Sequence, residues 1–202
     1  MENDLICISP KGATHRLLLL HGWGADADDL IPLGQALIKS IPQRDIELVS
    51  LRAPQNHPDG FGRQWYGLFP PNWSEVPIAI RNLKTRIKLI CQEQISAQKT
   101  VLLGFSQGGA MALAVGSELP LAGLVGCSAY PHPNWMPPSQ SPPVVLFHGT
   151  QDEVVPIQAS RELAASLQIN NVVVETFFFE GGHEIPQEIM QTIQQTLFKW
   201  FI

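Results

Sequence analysis

Thr100-Val101-Leu102-Leu103-Gly104-Phe105-Ser106-Gln107-Gly108-Gly109-Ala110-Met111-Ala112-Leu113-Ala114 changes character in its middle. Thr100 to Leu103 is a short apolar run with a β-branched residue, the pattern of a buried parallel strand. Gly109 to Val115 is rich in Ala, Leu and Met, the pattern of a helix packed on a sheet. Between them stands Gly104-x-Ser106-x-Gly108. A sharp strand-to-helix turn forces its central residue into a strained conformation, and small neighbours let strand and helix approach. Such a turn lifts the Ser106 hydroxyl clear of the sheet edge. It sets that hydroxyl at a helix N-terminus, where free N–H groups and the helix dipole favour developing negative charge. The pattern nominates Ser106 as a nucleophile. The competing reading is a glycine-rich turn whose serine merely caps the helix. A base, an orienting acid and a second oxyanion donor elsewhere in the chain would decide between them.

Upstream, Leu5 to Ser9 and Ile46 to Leu51 read as strands, and Arg16 to Leu20 as a stronger one running into His21-Gly22-Trp23-Gly24. Asp26, Asp28 and Asp29 then precede Leu30, Leu33, Leu37 and Ile38 at helical spacing, so they read as a helix start rather than a metal site. Gln55 to Pro77 is irregular, with prolines and glycines among Phe61, Trp65, Tyr66, Phe69 and Trp73. Ile78 to Ile95 has an apolar stripe of helical period. Downstream come a strand at Leu121 to Ser128, a Pro-rich connection, and a strand at Val144 to Phe147. A helix at Ile157 to Leu167, a strand at Val172 to Phe179 and a helix at Ile185 to Phe201 follow. Strands alternate with helices, which predicts an α/β fold with one mainly parallel sheet flanked by helices. No repeat or boundary interrupts residues 1–202, so one domain is expected, with connections too short to hold a cap domain.

Composition narrows the functions. Hydrophobic residues make up 45% and charged residues 15% of 202, enough for a full core. A net charge of −5 argues against nucleic acid as a partner, because phosphate contacts need clustered Lys and Arg. Arg81, Lys84, Arg86 and Lys88 read as a solvated helix face. Cys7, Cys91 and Cys127 have no paired spacing and suit free thiols in a reducing compartment. Met1-Glu2-Asn3-Asp4 is not the start of a signal peptide, and no run is long enough to span a membrane. A soluble, cytoplasmic protein without stable membrane insertion is expected.

Acyl transfer needs a base for the serine proton and a carboxylate to hold that base. Parallel α/β sheets gather such groups at the carboxyl ends of their strands. Asp152 follows the strand Val144–Phe147 through His148-Gly149-Thr150-Gln151, and His183 follows Val172–Phe179 through Glu180-Gly181-Gly182. The order Ser106, Asp152, His183 is that of α/β-hydrolases. Glu153, Glu180 and Glu184 are competing acids, read as solvated. His21 and His148 each stand at a strand end before Gly and read as structural histidines bonded to backbone. A tetrahedral intermediate needs two donors. The backbone N–H of Gln107 is one, and the N–H of Trp23 after the strand Arg16–Leu20 is the simplest second. Because backbone supplies both, the side chains there are expected to be free to shape the pocket.

Leu20-His21-Gly22-Trp23-Gly24-Ala25-Asp26, Gly104-Phe105-Ser106-Gln107-Gly108-Gly109-Ala110, His148-Gly149-x-x-Asp152-x-x-Val155-Pro156 and Gly182-His183 together resemble the phospholipase/carboxylesterase family of α/β-hydrolases. That family includes acyl-protein thioesterases, lysophospholipases and small bacterial carboxylesterases. The resemblance runs from about Arg16 to the C-terminus. It implies Ser106, Asp152 and His183 as a triad and Trp23 and Gln107 as oxyanion donors. Trp23 stands where the family commonly has Leu, and Arg63-Gln64-Trp65-Tyr66 looks more like the bacterial esterases than the eukaryotic thioesterases.

The expectation is a serine esterase acting on a small-molecule ester or acyl substrate, with no metal and no organic cofactor. A thioesterase or lysophospholipase would use the same residues, and a non-catalytic binding protein could keep the fold. Trp65, Tyr66, Phe69 and Trp73 are the candidates for a substrate pocket, since ligand sites are mostly apolar. The alternative is that these rings cover the core.

Overall fold

The computed structural model describes residues 4–39, 41 and 45–201. Its strands are β1 (Leu5–Ile8), β2 (His15–Leu20), β3 (Ile46–Leu51), β4 (Gln55–Asn56), β5 (Arg63–Gln64), β6 (Thr100–Phe105), β7 (Gly123–Cys127), β8 (Val144–Gly149) and β9 (Val174–Phe179). The helices are α1 (Ile31–Lys39), α2 (Val76–Cys91), α3 (Gln107–Gly116), α4 (Ile157–Ile169) and α5 (Met190–Trp200). Seven strands form one sheet in the order β1-β3-β2-β6-β7-β8-β9, while β4 and β5 pair separately. β1 lies antiparallel to β3, and the remaining pairs of the large sheet are parallel.

Helices cover both faces, which explains the unbroken apolar runs. Alternate residues of β2 face opposite ways. Leu18 and Leu20 join Val49, Leu102, Leu124 and Leu146 under α2, α3 and α4. Leu17 and Leu19 join Leu48, Val101, Val125 and Phe147 beside α1 and α5. From β2 the chain first moves one way, to β3, and then crosses to build β6, β7, β8 and β9 on the other side. The crevice at such a reversal, outside the carboxyl ends of the strands, is where α/β sheets hold ligands. Here it lies between the ends of β2 and β6.

The elements depart from expectation at their edges. α2 starts at Val76, because Pro77 fits a first helical turn where its missing N–H costs nothing. It ends at Cys91, before the expected Ile95. A 3-10 turn over Gln187–Ile189 precedes α5, so that helix is shorter than the apolar stripe suggested. Asp26, Asp28 and Asp29 lie in the connection before α1, not in its first turn. Asp26 instead accepts from the Ala27 N–H at 2.6 Å and pairs with Arg52 at 2.7 Å. Among the described residues no group of His, Cys, Asp or Glu could hold a metal ion. No described helix is long and apolar enough to cross a membrane. Of the basic residues on α2, Arg86 is not a solvated charge: its guanidinium donates to the carbonyls of Arg52 and Asp4 at 2.9 and 2.7 Å.

Candidate active site

β6 ends at Phe105 and α3 begins at Gln107, so Ser106 alone makes the turn. Its φ of 54° and ψ of −120° lie outside the regions that L residues ordinarily occupy. The flanking glycines are required by contact. A Cβ on Gly104 would stand 2.2 Å from the Gly108 carbonyl oxygen. A Cβ on Gly108 would stand 2.2 Å from the Leu20 oxygen and 2.4 Å from that of His21. Helix α3 therefore packs against both its own strand and the end of β2. The Ser106 N–H donates to the Cys127 carbonyl at 2.9 Å, which ties the turn to β7. The Ser106 hydroxyl makes no capping bond to α3, so the helix-cap reading does not describe it.

The hydroxyl instead faces His183. Ser106 Oγ lies 2.9 Å from His183 Nε2, and His183 Nδ1 lies 2.8 Å from Asp152 Oδ2. Asp152 follows β8 in a tight turn, and its Oδ1 accepts from the N–H groups of Val154 and Val155 at 2.9 and 2.8 Å. Burial alone would raise the Asp152 pKa. The bonds from His183 and Val155 and the charge of His183 outweigh it and hold the carboxyl below the usual range. The Asp152 side chain is fully shielded, whereas that of His183 is 18% exposed. Glu153, Glu180 and Glu184 are exposed, as expected of solvated acids. His148 is fully buried and donates from Nε2 to the Val155 carbonyl at 2.8 Å, so it braces the turn that carries Asp152.

Gln107 is the first residue of α3, where N–H groups have no partner within the helix. Trp23 follows Gly22, whose missing side chain would reach to 3.5 Å from Ser106 Cβ. Gly22 and Gln107 thus lie next to the serine. The Gln107 side chain, however, does not shape a pocket. It is fully buried, accepting from Trp65 N–H at 3.0 Å and donating to the Tyr66 carbonyl at 2.8 Å.

That clamp corrects part of the pocket expectation. Trp65 and Tyr66 are 1% and 0% exposed and belong to the core beneath the loop, not to an open wall. Trp65 Nε1 donates to the His21 carbonyl at 2.9 Å. Tyr66 shares a 2.7 Å hydroxyl bond with Tyr130 and lies 3.0 Å from His132 Nε2. Trp73 packs on Tyr66 and His132. Phe69 is 66% exposed and meets the Trp23 ring edge-on at 5.1 Å, and Trp73 is 39% exposed, so these two of the four rings are open to solvent.

The cleft beside His183 has other walls: Leu30, Leu33, Phe105 and Ile185, with Asp29 and Glu184 at its edge. Its volume is about 280 Å³. Sequence reasoning missed these residues because Leu30 and Leu33 have the helical spacing of ordinary core residues. A larger cleft of about 380 Å³ lies between α2 and Ser96–Gln98, at the opposite end of β6 from Ser106.

The mainly parallel sheet, the elbow at a strand end and the crevice at the reversal of strand order define an α/β-hydrolase. The chain belongs to the phospholipase/carboxylesterase family, whose model matches residues 2–201. It is 34% identical over 158 residues to acyl-protein thioesterase 1 of Emericella nidulans, a match covering 61% of this chain and 66% of that protein. It is 24% identical over 206 residues to a probable carboxylesterase, SOBER1-like, of Arabidopsis thaliana, covering 90% and 77%. Among solved structures it is similar to esterase PE8, with a TM-score of 0.86, 29% identity and coverage of 98% and 97%.

Proposed function

We propose that this chain is a serine hydrolase that cleaves carboxylic esters through an acyl-enzyme on Ser106. The observation that supports it most is the unbroken relay Ser106 Oγ, His183, Asp152, with contacts of 2.9 and 2.8 Å. In this reading His183 Nε2 takes the hydroxyl proton as Oγ attacks the carbonyl carbon. The carbonyl oxygen becomes an oxyanion held by the N–H groups of Trp23 and Gln107. Asp152 orients the ring and stabilises the imidazolium. The imidazolium then returns its proton to the leaving alcohol, and water repeats the sequence on the acyl-enzyme to release the acid. Ser106, His183 and the attacking water carry the protons in this scheme, and no metal or cofactor enters it.

The cleft of about 280 Å³ beside His183 favours a short acyl or alcohol group. A thioester is the second reading, because a relative is named an acyl-protein thioesterase. The three cysteines are free thiols, which suits action in the cytoplasm. A fluorophosphonate probe should label wild type at Ser106 and leave Ser106→Ala unlabelled. Ser106→Ala and His183→Ala should lose essentially all turnover. Asp152→Asn should lose on the order of 10⁴ in kcat, and Glu153→Gln little. A wild type that does not label would support a binding protein instead. A panel of esters and thioesters of graded chain length separates the two enzymatic readings.

A further inference from the structure

We infer that His21 is a positioning residue that aims the Trp23 N–H into the oxyanion site by holding the Gly22 carbonyl. The inference rests on the proposed reaction at Ser106. His21 is completely buried just past the end of β2. Both of its ring nitrogens are taken by backbone. Nε2 lies 3.1 Å from the Ala53 N, which carries a hydrogen and can only donate. Nε2 is therefore an acceptor, and the ring hydrogen sits on Nδ1. Nδ1 lies 2.8 Å from the Gly22 carbonyl oxygen and donates to it. Burial pushes the ring's pKa down, which keeps it in this neutral form.

The consequence follows from peptide geometry. The Gly22 carbonyl and the Trp23 N–H belong to one planar unit, and the bond between them is trans. In a trans peptide these two groups point in opposite directions. Fixing the carbonyl toward the His21 ring fixes the N–H away from it, and Gly22, which begins this peptide, lies beside Ser106. The Ala25 N–H reaches the same carbonyl at 3.4 Å, a weaker hold. The peptide before it is anchored as well, since the His21 carbonyl accepts from Trp65 Nε1 at 2.9 Å and abuts Gly108. One imidazole thus spans from the end of β3 to the oxyanion loop.

Two variants separate the two bonds. His21→Asn places an amide nitrogen near the position of Nδ1 and keeps the donor to Gly22. His21→Gln places an amide oxygen near Nε2 and keeps the acceptor for Ala53, but loses that donor. Both are checked for folding by thermal melting and for an intact Ser106 by fluorophosphonate labelling, and kcat and KM are measured on one ester. His21→Gln should lose about 10- to 100-fold in kcat, with KM within about threefold, because a displacement near 1 Å can cost 10²-fold. Its affinity for a trifluoromethyl ketone, which forms an oxyanion on the serine, should fall in parallel. His21→Asn should restore kcat to within about fivefold of wild type. Equal kcat losses in the two variants, or unchanged kcat in folded His21→Gln, would overturn the inference. Wild type that neither turns over ester nor labels at Ser106 would overturn the proposed reaction, and the inference with it.

Discussion

Gly108→Ala sets two effects of known size against each other. Gly108 is the second residue of α3, and exchanging Gly for Ala inside a helix ordinarily stabilises by about 1 kcal/mol. The added Cβ would stand 2.2 Å from the Leu20 oxygen and 2.4 Å from the His21 oxygen, whereas real Cβ contacts essentially never fall below 3.0 Å. Both obstacles are backbone atoms of a buried strand end, so no side chain can swing away. The helix start and the end of β2 must separate by nearly 1 Å. Overpacking of this kind costs roughly 1–3 kcal/mol, so the clash should win over helix propensity. The same displacement carries the loop of Gly22 and Trp23 away from Ser106. A shift near 1 Å can cost 10²-fold in rate, so kcat should fall by about that factor while the protein remains folded. Gly182→Ala is the control. Gly182 adjoins His183, yet its nearest obstacle is the Gln151 oxygen at 4.0 Å, and stability should change by no more than ~0.5 kcal/mol. Urea denaturation and ester turnover on both variants test this. Gly108→Ala with wild-type stability and wild-type kcat would refute the packing argument.

Stability should fall on acidification between pH 6.5 and 4. Burial lowers the His132 pKa from 6.5 to about 4, so over this window the unfolded chain binds the extra proton and the folded one does not. Stability is complete above pH 6.5 and declines by about 3 kcal/mol as pH drops toward 4, and His132→Gln should flatten that slope in urea titrations. Asp152, held below its usual range, should add a further loss only at lower pH. Trp65→Ala should cost roughly 3–5 kcal/mol in thermal or chemical unfolding, as a core ring does, and lower kcat for all esters alike. Phe69→Ala should leave the melting temperature nearly unchanged and alter the ranking of acyl or alcohol groups in kcat/KM. An unaltered ranking would remove Phe69 from the pocket.

Much of the architecture could be read because the inner strands of the parallel sheet are buried on both faces. Leu17 to Leu20 and Val144 to Phe147 are uninterrupted apolar runs for that reason, and each is followed by Gly within a few residues. The positions of Ser106, Asp152 and His183 could be read because parallel strands bring their carboxyl ends to one edge. What could not be read was set by partners distant in sequence. Trp65 and Tyr66 have the composition of a pocket wall. They are drawn into the core because the Gln107 amide, 42 and 41 residues away, takes their backbone groups. Asp26 looks like a helix-start residue until Arg52 is seen beside it. The cleft residues Leu30 and Ile185 come from separate segments and carry no local signal.

Four of the histidines show how environment, not residue type, divides the labour around one crevice. A base must gain and lose a proton in each cycle, so it needs a nucleophile on one nitrogen, a carboxylate on the other and some access to solvent. His183 has all three. His148 lies within 3.4 Å of the same Asp152 oxygen, but it is fully buried and spends Nε2 on the Val155 carbonyl, so its role is to hold the turn. His21 is buried with both nitrogens on backbone, and a second proton would turn its acceptor toward Ala53 into a clash of two donors. His132 has Nε2 beside the Tyr66 hydroxyl and no described partner for buried Nδ1, which is why burial dominates its titration. Adding a carboxylate behind His148 or His132 would not make a second base for Ser106, since the Ser106 hydroxyl faces His183. Removing the carboxylate behind His183 should cost the reaction its oriented base and loosen the turn that His148 braces, while leaving His21 and His132 as they are.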